Sequence, residues 1–331
     1  MCGGAPRHIV VRMLAHRGPR LSRVVGVACA VLLGCSLVGC GSLHALGLGS
    51  SASPTSTPRT QRTTPAPPAA ARPHPTICAA TIAPGFSCVM QQRITEVEGY
   101  LATQPGHIGI VLHDRVSGAT WRNAEASAVF PAASTIKLAM VLDVMLRNRA
   151  GTIQLGDDDW ALIDAILSES SDTAADQLWG QFEGSSFLGR IRALGMTSAY
   201  FSSSSAYWGF MYCSAEDLDS LMNYILNDAP ATVRNYMTIR MQRVAPIQQW
   251  GVWGAGPANH PGNKDGWEDD SGVWVVNTVG FAGSQARFSL AIMDDEQGTA
   301  DFHQGTNTLD QISSLLFRGR YGPAPTVEAT P

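Results

Sequence analysis

The sequence is poor in charge and carries none of the common signatures for binding nucleic acids, metals or nucleotides. Only 15% of its 331 residues are charged, and the formal net charge of -4 leaves no basic surplus for a nucleic acid. The histidines, cysteines and acidic residues show no metal-ligand spacing, and neither GxGxxG nor GxxxxGK occurs. We therefore expect no metal, no cofactor and no nucleic-acid partner. The 45% of hydrophobic residues permits one sizeable core.

The apolar run at residues 24–40 is too short for a transmembrane helix. It follows five arginines and has the length of the apolar part of a secretory signal. Its last four residues, LVGC at 37–40, resemble the lipobox of bacterial lipoproteins, which implies cleavage before Cys40 and lipidation of its thiol, as with palmitate. LLGC at 32–35 is a second candidate, and an ordinary signal peptide with incidental cysteines is the alternative.

Composition divides the chain into four segments. Residues 1–39 are expected to be the lipoprotein signal peptide, and residues 40–77 the lipidated cysteine with a disordered tether rich in Ser, Thr, Pro and Ala. Residues 78–320 should fold as one domain, and residues 321–331 should form a disordered tail. This organisation predicts export, with the protein anchored through Cys40 on the outer face of the cytoplasmic membrane.

The seven cysteines are spread over these segments. Three leave with the signal peptide and Cys40 takes the lipid, so Cys78, Cys88 and Cys213 remain in the folded domain. Because exported proteins usually oxidise nearby pairs, we expect a disulfide between Cys78 and Cys88, which flank the turn-forming Ala-Pro-Gly at residues 83–85. Cys213 is expected to be a buried, unreactive thiol.

A possible nucleophile lies in the segment PAASTIKLAM, residues 131–140. Ser134 and Lys137 are three residues apart at the start of a helical pattern, so their side chains share one face of the first turn. A desolvated lysine there could take the proton of the serine hydroxyl. An N-cap serine followed by a surface lysine would give the same pattern. Residues 138–146 are apolar nearly all round, which predicts a helix buried within the domain.

Two further segments carry polar residues next to regular structure. The first, SESSDTAADQLW at residues 168–179, precedes an apolar helix, where Ser and Asp could equally act as helix caps. The second, HPGNKDGW at residues 260–267, precedes strands predicted at residues 272–283 and 286–293. Upstream, the pattern predicts a helix within residues 91–104 and a hairpin of residues 108–114 and 119–123.

In this order, the segments resemble the three motifs of the penicillin-recognising serine enzymes, and the chain resembles a class A β-lactamase-related serine hydrolase of actinobacterial lipoprotein type. The resemblance covers roughly residues 91–318. It implies an α+β fold, an α/β sandwich of the β-lactamase/transpeptidase type, with a central antiparallel sheet flanked by helices and an all-helical subdomain. Further helices are expected at residues 160–167, 215–226 and 309–317.

The resemblance also implies a role for each matching residue. Ser134 would be the nucleophile, Lys137 its base, Ser170 the proton relay and Lys264 the cation beside them, while the backbone N–H groups of Ser134 and Trp267 would form the oxyanion hole. For substrate binding, the family pattern points to Asp172, Asp265 and Gly266. Aligning on the alanines at 174 and 175 selects Ser170 as relay, whereas the literal Ser-Asp pair would select Ser171, with Thr173 as third residue.

Two departures from the family pattern bear on the reaction. The omega-loop region, residues 195–215, lacks the glutamate that activates hydrolytic water. Asp265 replaces the Thr or Ser whose hydroxyl binds the carboxylate of a β-lactam, so its charge should repel that group. The spacing from Ser134 to Ser170 is also shorter than in class A enzymes, which implies a trimmed helical subdomain.

The sequence therefore supports two functions. The first is a lipid-anchored, monomeric serine hydrolase that forms an acyl-enzyme on an amide or ester, from a small molecule or cell-wall peptide, with poor or no β-lactam turnover. The second is a catalytically inactive scaffold of the same fold that binds a cell-wall peptide or glycan.

Overall fold

The computed structural model describes residues 82–270, 272–296 and 301–319. The expected signal peptide, the lipidated Cys40, the tether, Cys78 and the C-terminal tail lie outside these ranges, so the predictions about them remain predictions. Within the described ranges, no helix has the length and apolar character needed to cross a membrane. Cys213 is a buried free thiol, as expected.

A five-stranded antiparallel sheet forms the middle of the domain, with strand order β2-β1-β8-β7-β6. Three shorter strands pair in the order β3-β5-β4. The strands are β1 (His107–Asp114), β2 (Ala119–Arg122), β3 (Val129–Pro131), β4 (Tyr200–Phe201), β5 (Met211–Ser214), β6 (Gly262–Asp270), β7 (Val273–Ala282) and β8 (Phe288–Asp295). The expected central antiparallel sheet is thereby confirmed, and β6, which carries Lys264, is one of its edges.

Helices cover both faces of the main sheet. They are α1 (Cys88–Leu101), α2 (Ile136–Arg149), α3 (Asp157–Glu169), α4 (Asp172–Phe182), α5 (Phe187–Ala193), α6 (Ala215–Asn223), α7 (Ala231–Met241) and α8 (Phe302–Phe317). The strand periodicity of two explains the layers. On β7, Val276 packs with residues of α1 and α8, whereas Val279 points to the other face and packs with α2.

Helix α2 is the centre of the hydrophobic core on the face of the sheet to which Val279 points. All ten residues from Ile136 to Met145 are buried, including Lys137 and Asp143, because the helix is enclosed by neighbouring helices as well as by the sheet. This confirms the buried helix expected from the apolar run. A nucleophile placed at its start is therefore fixed by packing on every side of the helix.

Several boundaries differ from the sequence prediction. Helix α8 begins at Phe302 rather than near 309, with Asp301 as its N-cap. The predicted helix at 215–226 is α-helical only to Asn223, after which Tyr224–Asp228 forms a π-helical turn. Helices α5 and α7 were not predicted, since neither has the strong apolar periodicity on which the prediction relied.

Candidate active site

Ser134 lies in a tight turn that connects β3 to α2. A 3₁₀ turn, Ala133–Thr135, precedes the helix, and Ala133 has a left-handed backbone with φ 46°. Such a conformation is uncommon for a residue other than glycine and persists only where the surroundings hold it. Here Asn277 donates side-chain hydrogen bonds to the carbonyls of Pro131 (2.9 Å) and Ala132 (3.3 Å). The turn is therefore tied to the sheet, and Ser134 is 9% exposed.

Gly266 on the edge strand β6 packs directly against this turn. A Cβ at this position would lie 2.7 Å from the backbone nitrogen of Ser134 and 2.5 Å from that of Thr135. The family resemblance assigned this glycine to substrate binding. In the structure it allows close approach between the strand and the backbone of Ser134, so any side chain would separate β6 from Ser134.

Lys137 is fully buried one turn after Ser134. Its Nζ donates to the carbonyl of Ser170 at 2.7 Å and to Asp172 Oδ1 at 2.5 Å, and it lies 4.4 Å from the ring centroid of Trp208. Burial lowers the pKa of Lys137, while Asp172 acts in the opposite direction. Within the described residues, Nζ makes no hydrogen bond to Ser134 Oγ, so the direct contact expected of a proton acceptor is replaced here by an ion pair.

Ser170 joins the two lysines. It ends α3 in a left-handed conformation, φ 60° and ψ 31°, which turns its carbonyl towards Lys137 and its hydroxyl towards Lys264. The hydroxyl accepts a hydrogen bond of 2.8 Å from Lys264 Nζ. Ser171 instead caps α4, where its hydroxyl accepts from the N–H of Ala174. Of the two serines between which the sequence left the choice open, Ser170 therefore contacts Lys264 through its hydroxyl, whereas Ser171 caps a helix.

Lys264 is also fully buried, and Lys137 and Lys264 are the only lysines in the sequence. Besides Ser170, its Nζ donates to Gln248 Oε1 at 2.7 Å and to the carbonyl of Asp265 at 2.6 Å. Burial, reinforced by the charge of Lys137, holds the pKa of Lys264 well below its usual value. Three acceptors thus fix the position of this ammonium group beside the hydroxyl of Ser170.

Asp265 does not face the same side of β6 as Lys264. Its side chain is fully buried and accepts a hydrogen bond of 2.7 Å from Thr278 Oγ1, its cross-strand partner on β7. Burial raises the pKa of Asp265 well above its ordinary range. Successive residues of a strand point to opposite faces, so the side chain lies with Val276 on the face covered by α8. The expected repulsion between Asp265 and a substrate carboxylate is therefore not supported by the geometry.

Three residues near the lysines were not identified from the sequence, namely Gln248, Asp176 and Trp208. Gln248 holds Lys264 through Oε1, while its Nε2 donates to the carbonyls of Leu167 and Ser168. Asp176 accepts hydrogen bonds from Trp208 Nε1 (2.9 Å) and Tyr207 (2.6 Å), which fixes the Trp208 ring beside Lys137. Asp176 lies within the segment at residues 168–179, but Gln248 and Trp208 lie in none of the three motif segments. The sequence signal that points to this region is the shortage of lysine, because both lysines lie inside motif segments.

Trp267 follows Gly266 on β6, and its ring packs against those of Trp250 and Phe302 with centroids 5.9 Å apart in each case. This packing holds the strand beside Ser134, where the backbone N–H of Trp267 would have to lie to serve the oxyanion hole. Among the described residues, no group of histidine, cysteine and acidic side chains could hold a metal ion.

Comparison with known proteins bears on the fold and on the kind of protein. A family model described as the beta-lactamase enzyme family matches residues 90–158, a span that includes Ser134 and Lys137. A Mycobacterium tuberculosis protein named "Putative lipoprotein LppW" is 22% identical over 233 residues, covering 66% of this chain and 74% of the relative.

Solved structures agree with this match. The class A β-lactamase of Mycobacterium abscessus is 19% identical, with a TM-score of 0.57 over 68% of this chain and 98% of the enzyme. A β-lactamase of Sphaerobacter thermophilus is 19% identical, with a TM-score of 0.55 over 69% of this chain and 94% of the enzyme. A structure named PBP-A is 18% identical, with a TM-score of 0.57 over 69% of this chain and 94% of that protein. The expected β-lactamase/transpeptidase-like fold is confirmed, as is the resemblance to β-lactamase-related serine enzymes.

Proposed function

We propose that this β-lactamase-like chain is an envelope serine hydrolase in which Ser134 attacks an amide or ester carbonyl and forms an acyl-enzyme. The observation that carries the proposal is the meeting of both lysines of the sequence on Ser170, with Ser134 one turn before Lys137. A fully buried pair of lysines has no evident structural purpose, because burying two ammonium groups together is unfavourable. In acyl transfer, Lys137 and Lys264 would each have a chemical role.

The side chains at this site can carry out each proton transfer that acylation requires. Ser134 Oγ bonds to the carbonyl carbon while its proton passes to Lys137 in the neutral form, which the lowered pKa of that lysine favours. The backbone N–H groups of Ser134 and Trp267 would stabilise the oxyanion. As the carbon–leaving group bond breaks, the hydroxyl of Ser170 gives its proton to the departing nitrogen or oxygen and regains one from Lys137 or Lys264. The product is an ester on Ser134.

Release of the acyl group is proposed to be slow. The region that would supply a water-activating glutamate contains none, and in the structure Trp208 from that region covers Lys137. Asp176 is nearby, but its Oδ1 already accepts hydrogen bonds from Tyr207 and Trp208. We therefore expect poor or absent β-lactam turnover because the water-activating glutamate is missing. Repulsion of the substrate carboxylate by Asp265 is not needed to explain it.

The proposed location is the cell envelope, with the chain anchored through Cys40 and acting as a monomer on a small molecule or cell-wall peptide. The name of the mycobacterial relative as a lipoprotein supports the anchor. The lipobox-like LVGC at residues 37–40 ends in Cys40, the residue that would carry the lipid.

Labelling with a fluorophosphonate or an activated ester tests the proposal. Wild-type protein should gain one acyl or phosphonyl group by intact mass, located on Ser134 by peptide mapping, and Ser134→Ala should gain none because the nucleophilic oxygen is absent. Circular dichroism confirms that the variant is folded. No labelling of folded wild type at any pH between 6 and 10 would contradict the proposal.

Replacing Asp172 by asparagine should increase the rate of labelling severalfold at neutral pH. Asp172 raises the pKa of Lys137, so removing its charge lets Lys137 lose its proton at lower pH and moves the alkaline rise of the rate to lower pH. The measurement is the pH–rate profile, with the exposed Asp158→Asn as matched control. An unshifted profile would exclude Lys137 as the base.

The scaffold function is favoured by one specific observation, the ion pair between Lys137 and Asp172 in place of a bond to Ser134. If the protein is a catalytically idle binder of wall peptide or glycan, Ser134→Ala will support full function in cells. Loss of function with a folded variant would exclude this alternative.

A further inference from the structure

A cavity of about 660 Å³ opens between α7 and the turn that connects β7 to β8. None of its lining residues is a candidate catalytic residue, so it is separate from the Ser134 site. Its volume is within the range typical of small-molecule sites.

The lining of this cavity is basic. It contains Arg115, Arg234 and His260, with polar side chains such as Asn235, Thr238 and Ser284, and it includes no aspartate or glutamate. In the part of the chain that the structure describes, neither arginine forms an ion pair with a carboxylate. Although the net charge of the protein is -4, the lining of this cavity therefore carries positive charge that no carboxylate in the described ranges neutralises.

Arg115 is held rigidly without being neutralised. Its guanidinium donates to Asn227 Oδ1 (2.9 Å) and to three carbonyls, those of Leu226, Gln285 and Ala286. These bonds use four of its five N–H groups and leave one on Nη2. Burial lowers the pKa of Arg115, and the nearby charge of Arg234 acts in the same direction. The guanidinium groups of Arg115 and Arg234 both donate to the carbonyl of Leu226, so the two cations lie close together.

Arg234 retains most of its donors. Only Nη1 is engaged in the described structure, in long bonds of 3.4 and 3.3 Å to the carbonyls of Leu226 and Asn227. Its Nε and Nη2 groups remain available, and a planar guanidinium presents these N–H groups as a fork suited to an oxyanion.

We propose that this cavity binds a phosphate-bearing small molecule, with the phosphate between Arg115 and Arg234. A phosphate monoester carries close to two negative charges and three terminal oxygens, so it matches two guanidinium groups, whereas a single carboxylate has one charge and two oxygens. The neighbouring hydroxyl and amide side chains can then contact the organic part of the ligand. The volume leaves room for a group about the size of a monosaccharide.

Calorimetric titration of the full-length chain with glucose 1-phosphate tests the proposal. Saturable binding is expected in wild type and in Ser134→Ala, because the cavity does not depend on the acylation chemistry. Arg234→Gln should weaken binding by about tenfold or more through loss of the charged fork, and Arg243→Gln, at an exposed arginine beside the same helix, should leave it unchanged. Thermal melting of each variant confirms folding, and Arg115 is left intact because it holds several turns together.

The comparison ligands decide the chemical class. Glucose should not bind, glucuronate should bind at least tenfold more weakly than glucose 1-phosphate, and raising salt should weaken the phosphate interaction. The proposal is overturned if wild type does not bind the phosphate, if Arg234→Gln binds as well as wild type, or if glucuronate binds equally tightly.

Discussion

Replacing Gly266 by alanine is expected to reduce the rate of acylation at Ser134 by about a hundredfold or more. The added methyl group would lie 2.7 Å from the nitrogen of Ser134 and 2.5 Å from that of Thr135, distances at which backbone atoms must move. The turn is held by Asn277 and the strand by β7, so neither yields freely. A displacement of about 1 Å between nucleophile and oxyanion hole costs roughly two orders of magnitude in rate.

The effect should be measured as the second-order rate of labelling by a fluorophosphonate, together with the melting temperature. Gly180→Ala is the matched control, because a Cβ at that position of α4 meets no atom within 4 Å. We expect the control to react at the wild-type rate. A folded Gly266→Ala protein that also reacts at that rate would show that β6 does not shape the acylation site.

Replacing Lys264 by methionine should lower the acylation rate by about a hundredfold or more while the domain stays folded. The substitution keeps the length of the side chain but removes the ammonium group that holds the hydroxyl of Ser170 at 2.8 Å and favours developing negative charge. Folding should suffer less. Exchange of a buried charge for an apolar side chain of similar size is often close to neutral, although Gln248 and Asp265 each lose a bond to Nζ.

The contrast between rate and stability is the useful measurement. Labelling rates across pH 6–10 and chemical denaturation should be compared with Arg243→Met, which removes a positive charge from an exposed position. A large loss of rate with a small change in unfolding free energy supports a direct role for Lys264. Equal losses in rate and in folded fraction would reduce Lys264 to a structural residue.

The elements carrying the candidate site were predictable because their patterns are local. The apolar run after Ser134 leaves no polar face, so α2 had to be buried, and the hairpin and the last two strands of the sheet follow from periodicity and turn residues. The ungapped alignment on Ala174 and Ala175 selected Ser170, the serine next to both lysines. That convergence depended on the family resemblance, since no local pattern brings residues 134, 170 and 264 together.

What the sequence could not provide are the contacts that cross between elements. Gln248 lies in a 3₁₀ turn far from any motif, yet it positions Lys264 and Asp265 together. The direction of the Asp265 side chain depends on which face of β6 meets α8, and a motif alignment assigns a role without assigning that face. The ion pair of Asp172 with Lys137 likewise requires the ends of two helices to be adjacent.

The burial of Lys137 and Lys264 leaves the protein without a solvent-exposed ε-amine, since the sequence holds no other lysine. Basic residues on its exterior are therefore arginines and histidines. Amine-directed reagents, such as formaldehyde with a borohydride, would then modify the folded chain only at its amino terminus. Dimethylation of a lysine would therefore show that the interface between helix and sheet had opened in that molecule. Because lysine is so scarce, the rate of reductive methylation of Lys137 and Lys264 would measure how often this interface opens.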